Sequence, residues 1–530
     1  MTQRTLSELI DRRGAEPAVI YGERVLSYGD LAARSRRLAR GLADLGIGAG
    51  DRVAFWLPNT PDYLALLVAC ARLGAITVAV NTRFREAEVG DIVGRSGARA
   101  LVLWPSFLGI PFLDILASID RVQLAGVETL ILYGEPGDPA PRVLPDVGRR
   151  SVAVAALAER PAMRATGPAD NSGCAIFTTS GTTRAPKFVL HGQHGVATHA
   201  VDVARACGYD RPGTAGLLAV PLCGVFGFSQ ALATLAGGGV MIMTPTFEAE
   251  VAARLIHRHQ VTHTNGGDDM VGRLLDAMPG ERPFPSLDGI GYAAFNSALA
   301  DLPVRAERRG LRLFGLYGMS EVLALFARQP LALPVELRSR AGGIPVARVA
   351  RVRARDPESG KVLEHGEAGE LEVRGPSLML SYFGDPAATK AAFTEDGFLR
   401  TGDLGYTEDD GGFVFLARIG DVLRLGGFLV APAEIESTLL EVPGIADAQT
   451  VAVATPAGTR PVAFVIVRPG ATLDEAAAIA HCRARIAKYK VPARIVCLDA
   501  FPVTQSANGT KIQRAKLRAM AEEAMRRQAG

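Results

Sequence analysis

Long apolar runs are missing from this 530-residue chain. No stretch approaches the roughly 20 apolar residues that cross a bilayer as a helix, so integral membrane contact is not expected. The opening MTQRTLSELIDRRG has no apolar signal-peptide core, so export is not expected either. Charge of one sign is also scarce. The 58 Lys and Arg nearly balance the 55 Asp and Glu, leaving +3, which gives no electrostatic reason to expect a nucleic-acid partner. Cysteine is sparse and unpatterned. The six cysteines, at 70, 174, 207, 223, 482 and 497, show no CxxC spacing and mostly sit among apolar residues. That predicts buried free thiols, and a cytoplasmic location fits. Disorder is not indicated: the 58 Gly and 32 Pro read as tight loops, because 48% hydrophobic residues are ample for a core.

The length calls for two or more domains. Ser27 to Gly46 reads as a helix, with Leu31, Ser35, Leu38, Leu42 and Leu45 on one face. RVAFWL (52–57) reads as a buried strand, and AITVAV (75–80) as another. Between them a helix is bracketed by Thr60, Pro61 and Gly74. Strand, helix, strand predicts right-handed crossovers and a largely parallel sheet. The region from Pro136 to Asp170 reads as a surface excursion. From Gly369 the texture changes to short strands joined by Gly/Asp turns, as in antiparallel β structure. After Ala431 helices and strands alternate over a block the size of a small α+β domain.

One stretch carries chemistry. TTSGTTRAPK (178–187) packs five hydroxyls, one glycine and one lysine directly after the apolar run CAIF. Such a loop exposes backbone N–H groups and hydroxyls, the donors that cradle phosphate oxygens, with a lysine as counter-charge. A Walker P-loop is excluded by spacing, since no glycine precedes Lys187 and Phe188 follows it. KFVLHG reads as a strand, so the loop belongs to a strand–loop–strand hairpin. A hydroxyl-rich surface turn is the alternative that the loop alone leaves open.

The loop resembles the phosphate loop of the adenylate-forming superfamily, the acyl-CoA synthetases and their relatives. GLYGMSE (315–321), FLRTGDLGY (398–406), ARIGDVLRLGGFLVAPAEIE (417–436) and FPVTQSANGTKIQRAKLR (501–518) resemble the family's later motifs, in order. The resemblance implies an α/β fold. A large N-terminal adenylation domain (1–417) would have mostly parallel sheets flanked by helices plus a β-rich subdomain. A hinge (418–421) would join it to a small mobile α+β domain (422–530).

It also implies a chemistry: an ATP- and Mg²⁺-dependent carboxylic acid–CoA ligase acting through an acyl-adenylate. The alternative is an adenylating enzyme that loads a carrier-protein phosphopantetheine. The acid would be fatty, alicyclic or aromatic, and a homodimer is compatible with the reading. On this resemblance Thr179, Ser180, Gly181, Thr182, Thr183 and Lys187 would meet the β- and γ-phosphates. Tyr317, followed by Gly318, would stack on adenine, and Ser320 and Glu321 would serve the α-phosphate and Mg²⁺. Asp403 would bind the ribose hydroxyls, with Arg418 nearby. Lys511 would bridge the acid and the α-phosphate. Arg424, Gly426 and Gly427 would line a coenzyme A tunnel.

The chain departs from the family pattern in places. Arg184 stands where glycine is usual, and Gly420 where Asp or Lys is usual at the hinge. PLCGVFGF (221–228) puts Gly224 at a His or aromatic position that borders the acyl site in the family, so Gly224, with Phe226 and Phe228, is expected to line the acyl pocket and leave more room for the acid. NGGDDM (265–270) replaces an apolar segment, so Gly267 and Asp268 border the expected acyl pocket with Phe295 and Met319. Asp268 or Asp269 is expected to cap the helix that follows. The string His257, His259, His263 reads as a helix end entering a strand, which splays the rings and disfavours zinc.

Overall fold

The computed structural model describes residues 5–530 except 12, 140–146, 148–149, 165–166, 169–170, 180–185, 295–298, 426–427, 456–457, 507–508 and 530. The short apolar runs assemble a first sheet. Its spatial order is Ser381–Tyr382, Phe188–Gly192, Gly173–Thr178, Ile76–Ala79, Arg52–Trp56, Ala100–Leu103, Thr129–Leu132 and Arg150–Ala153. The six strands from Gly173–Thr178 onward run parallel, and the two before it are antiparallel. Near-continuous apolar strands such as ALVL and ITVA are what a parallel sheet covered on both faces requires.

The helices begin where their caps dictate. Tyr28–Asp44 starts at Ser27, whose hydroxyl accepts from the Asp30 amide while Asp30 returns a bond to the Ser27 amide. Pro61–Leu73 has Thr60 as cap and ends at Gly74, with φ 71°. The stretch from Pro136 to Asp170 is more than a surface excursion. Arg150–Ala153 adds an edge strand, and the helix Val154–Ala158 lays Leu157 on Gly41, where a Cβ would come within 2.8 Å. Ala- and Arg-rich composition hides this strand, because its partners come from the sheet and not from its own sequence.

The second sheet has two halves. Leu313–Tyr317, Gly289–Ala293, His263–Gly267, Ala215–Leu218, Val240–Met243 and Pro17–Tyr21 are parallel neighbours in that order. On the other side of Leu313–Tyr317 the sheet turns antiparallel, through Ala327–Arg328, Gly342–Pro345, Phe413–Arg418, Leu399–Thr407, Gly369–Arg374 and Arg351–Arg355.

The last hundred or so residues build a separate core. Ile445–Thr455 pairs antiparallel with Gly458–Val467, which pairs parallel with Arg494–Cys497. Helices Pro432–Leu440 and Glu475–Arg485 cover this sheet around Ile435, Leu439, Ala463, Val465 and Cys482. Two hairpins complete this part: Leu423–Leu425 with Phe428–Val430, which buries Leu423, Leu425 and Val430 in the same core, and Val503–Ser506 with Gly509–Ile512. Glu436, buried, is held by Arg514 at 3.1 Å and by the Thr450 amide at 2.8 Å. Among the described residues, no helix is long and apolar enough to cross a membrane.

Candidate active site

The strand Leu313–Tyr317 is where the second sheet changes from parallel to antiparallel. In open α/β sheets, ligands gather outside the carboxyl ends of strands at such switch points. Tyr317, Gly267 and Ala293 are the carboxyl-terminal residues of three neighbouring strands, and Thr178 ends a strand of the first sheet. Side-chain contacts join three of the motifs there: Tyr317 reaches Asp403, His191 reaches Ser320, and Tyr382 touches both Lys187 and Glu321.

Tyr317 is buried, edge-on to Phe413 at 5.0 Å. Its hydroxyl donates to Asp403 Oδ2 at 2.6 Å. Asp403 stands opposite Arg418 in the antiparallel register, and Arg418 Nε lies 3.0 Å from Asp403 Oδ1. That contact pairs charges without hydrogen-bond geometry, so Oδ1 is a buried acceptor with no donor aimed at it. Burial pushes the Asp403 carboxyl above its usual range, and the charge of Arg418 opposes the shift. Gly402, at φ 68°, makes the bend that turns Asp403 inward.

After Tyr317 the chain makes one helical turn, Ser320–Val322, carrying buried Glu321. It then enters the left-handed region at three consecutive non-glycine residues: Leu323 (φ 63°), Ala324 (φ 46°) and Leu325 (φ 26°). Each disfavours the fold by about 1–2 kcal/mol, so the surroundings must hold the turn. The Ser229 hydroxyl and His199 Nε2 both reach the Leu323 carbonyl, at 2.5 and 3.0 Å. His191 Nε2 reaches the Ser320 carbonyl at 2.7 Å. Burial drives His191 down to about 4 and His199 to about 3, so both are neutral donors at physiological pH. Gly318 lies against the turn, where a Cβ would sit 2.5 Å from Ala324 Cα.

The hydroxyl-rich loop joins the antiparallel pair Gly173–Thr178 and Phe188–Gly192, the hairpin that the sequence predicts. Its base is closed by Thr179 and Lys187. The Thr179 amide donates to the Lys187 carbonyl at 3.0 Å, and the Lys187 amide donates to Thr179 Oγ1 at 3.1 Å. The Lys187 ammonium lies 4.3 Å from the ring centre of Tyr382, whose hydroxyl donates to Glu321 Oε1 at 2.8 Å. Tyr382, His191, His199 and Ser229 are site residues that the sequence reading misses. Only the run LSYFGDP, an aromatic before a Gly-Asp turn, could have drawn attention to Tyr382.

Other expected residues have definite places. Phe228 packs edge-on to Phe177 at 5.0 Å in the core, and Phe226 is buried on the same helix, Val225–Gly237, for which Gly224 is the N-cap. Met319 is half-buried beside the Tyr317 cluster. The capping expectation shifts by one position: Gly267 is the N-cap of Asp268–Ala277, and the two aspartates occupy its first turn, where the helix dipole favours them. Asp268 is buried and accepts from the Asp269 amide. Asp421 faces Arg514 at 3.9 Å. Lys511 stands opposite Thr504 in its hairpin, and Arg424 opposite Leu429 in the other. Ser180, Gly181, Thr182, Thr183, Arg184, Phe295, Gly426 and Gly427 lie outside the described residues, as do the side chains of Lys511 and Arg424. His263 engages Thr262 and the Cys207 carbonyl through its two nitrogens, while His257 lies against Phe284.

A surface cleft of about 470 Å³ opens beyond the far end of Leu399–Thr407, lined by residues such as His365, Tyr406 and Glu408. It does not include the residues above. Among the described residues, no group of three or more His, Cys, Asp or Glu could hold a metal ion by itself. Glu321 is a single buried carboxylate, which fits Mg²⁺ carried on phosphate oxygens rather than a fully protein-caged ion.

Comparison with known proteins agrees with this geometry. The model of the AMP-binding enzyme family matches residues 6–383, and that of the AMP-binding enzyme C-terminal domain matches 434–508. The chain is 32% identical over 500 residues to the sulfoacetate–CoA ligase of Cupriavidus necator, covering 93% of this chain and 92% of that one. It is 31% identical over 519 residues to the indoleacetate–CoA ligase of Aromatoleum aromaticum, covering 94% and 95%. The crystal structure of ATP-bound MatB from Rhodopseudomonas palustris superimposes with a TM-score of 0.85 at 25% identity, covering 99% of this chain and 100% of that one. The o-succinylbenzoate CoA synthetase MenE of Bacillus subtilis, in complex with AMP, superimposes with a TM-score of 0.78 at 26% identity, covering 97% of each chain. With family models matching residues 6–383 and 434–508 and a relative 32% identical over 93% of it, the chain belongs to the AMP-binding enzyme family.

Proposed function

We propose that this protein is an ATP-dependent carboxylic acid–CoA ligase. A carboxylate oxygen of the acid attacks the α-phosphorus of ATP, the bond to pyrophosphate breaks, and an acyl-adenylate forms. The thiolate sulfur of coenzyme A then attacks the acyl carbon, and AMP leaves with the C–O bond electrons. Both reactants of the first step are anions, so charge neutralisation and in-line placement do most of the work.

The carrying observation is the buried Tyr317–Asp403–Arg418 cluster, with Asp403 Oδ1 an acceptor awaiting a donor. A ribose diol supplies that donor, and the Arg418 guanidinium beside Oδ1 opposes the burial that disfavours the charged carboxylate. Tyr317 offers adenine its aromatic side. Lys187 and the loop Thr179–Thr183 take the β- and γ-phosphates, and Ser320 meets the α-phosphate. Glu321 would hold Mg²⁺, which supplies charge neutralisation to the phosphates when bound. Lys511 meets the acid and α-phosphate, where charge develops. The segment 418–421 serves as hinge between residues 1–417 and 422–530, and Arg424, Gly426 and Gly427 serve the thiol step.

Relatives named as ligases for sulfoacetate and indoleacetate support free coenzyme A as acceptor over a carrier protein. Free thiols at all six cysteines support a reducing, cytoplasmic setting. Acid-dependent pyrophosphate release, measured over a panel of chain, ring and steroid-like acids, tests the reading. At least one acid should release pyrophosphate and, with coenzyme A present, yield the acyl-CoA. Pyrophosphate without acyl-CoA across the panel would turn the assignment to a carrier protein.

A further inference from the structure

We infer that Tyr382 is a positioning residue that keeps the phosphate-loop lysine and the Glu321 carboxylate apart and aimed, an inference that rests on the adenylation reading above. The backbone around it is tied on both sides. Ser381 and Tyr382 form a two-residue edge strand in register with Leu190 and Val189, immediately after the phosphate loop. The Leu380 amide donates to Leu190 O at 2.8 Å, and the Phe383 amide to Phe188 O at 2.7 Å. On the other side, the Met379 amide donates to the Glu321 carbonyl at 2.8 Å. Thr389, on the helix Pro386–Ala392, accepts from the Tyr382 amide at 2.9 Å. Five residues therefore bridge the phosphate loop to the turn that carries Glu321.

The side chain repeats the bridge. The Tyr382 hydroxyl donates to Glu321 Oε1, and the ring presents its π system to the Lys187 ammonium at 4.3 Å, within cation–π range. A lysine and a glutamate serving one triphosphate would otherwise pair with each other, and nucleotide binding would first have to break that pair. Tyrosine gives each a weaker, neutral partner. Polyphosphate can draw Lys187 off the ring. The hydroxyl occupies Oε1 alone, so Oε2 keeps a carboxylate lone pair for a cation. Phenylalanine would keep the ring and lose the hydroxyl bond; leucine would lose both.

The two variants separate these roles. ATP binding to the full-length protein is measured by calorimetry with Mg²⁺ and with EDTA, alongside acid-dependent pyrophosphate release across a Mg²⁺ titration. Tyr382→Phe should leave metal-free ATP binding unchanged. Its affinity gain on adding Mg²⁺ should shrink about three- to tenfold, and half-saturating Mg²⁺ should rise by a similar factor. Tyr382→Leu should in addition weaken metal-free ATP binding about threefold or more, because Lys187 loses its seat. Thioester formation from supplied acyl-adenylate should stay within about twofold of wild type in both. Tyr382→Phe with wild-type Mg²⁺ dependence overturns the inference. So does a parallel fall of both half-reactions with melting temperature, which would mark a packing role. Wild-type protein that neither binds ATP nor releases pyrophosphate overturns the adenylation reading and this inference with it.

Discussion

Asp403 shows how one residue can be read from its surroundings. Its two oxygens differ: Oδ2 accepts from Tyr317, while Oδ1 has a charge beside it and no hydrogen bond. A buried acceptor left in that condition discriminates strongly between ligands that can donate to it and ligands that cannot. Asp403→Asn should therefore weaken ATP about 10- to 100-fold, the range for hydrogen bonds to a charged group. Wild-type protein should also prefer ATP to 2′-deoxy-ATP or 3′-deoxy-ATP, and the variant should lose most of that preference. Equal weakening of all three nucleotides by the substitution would place Asp403 in a purely structural role.

At the scale of elements, the informative piece is the left-handed turn after Glu321. Three residues without glycine's freedom are anchored there at the Leu323 carbonyl by His199 and Ser229 and, one helical turn earlier, at the Ser320 carbonyl by His191; these three side chains belong to two helices and a strand of other segments. Each ring donates through Nε2, and protonating its buried Nδ1, which has no partner among the described residues, would place an unpaired charged N–H in the core. Both have depressed folded values, about 4 and about 3, against roughly 6.5 when unfolded. Between those values the unfolded chain binds more protons, so stability is fully present above about pH 6.5 and falls as pH drops. Unfolding free energy at pH 5.0 should be lower than at pH 7.5 by about 2 kcal/mol from each histidine. Denaturant titrations at the two pH values check this. His199→Asn should reduce the pH-dependent difference by about one histidine's share, and an unchanged difference would contradict the assignment.

At the scale of the whole molecule, the proposed hinge is testable through Gly420. Neither space nor backbone demands a glycine there: an added Cβ would meet nothing, and φ lies outside the left-handed region. The amides of Asp421 and Val422 donate to the Arg418 carbonyl, and Arg518 of the C-terminal helix reaches the Gly420 carbonyl at 3.4 Å. A glycine not required by this arrangement is explained if another arrangement uses its freedom. Gly420→Ala should slow acyl-CoA formation about threefold or more, and Gly420→Pro about tenfold or more, while one half-reaction survives in each. A Lys511→Ala variant should lose adenylation and retain thioester formation from supplied acyl-adenylate. Single-turnover assays of the two halves distinguish these outcomes, and equal loss of both halves in either variant would remove the case for a moving lid.

The amino-acid sequence by itself determined what depends on near neighbours. Ser27 with Asp30, and Thr60 with Pro61, start helices because the groups that satisfy their first amides lie within three positions. The hydroxyl-rich loop 178–187 is read as a candidate phosphate site because its donors are consecutive. Tertiary structure alone decided what depends on distant partners. The edge strand Arg150–Ala153 exists because a sheet offers it pairing, and the Asp268 turn takes its cap from Gly267 because the preceding strand ends there. Tyr382 reaches Glu321 across 61 positions, and His199 reaches Leu323 across 124. Such contacts leave no local pattern, because a tyrosine or histidine earns its partner from the sheet order that brings two loops together.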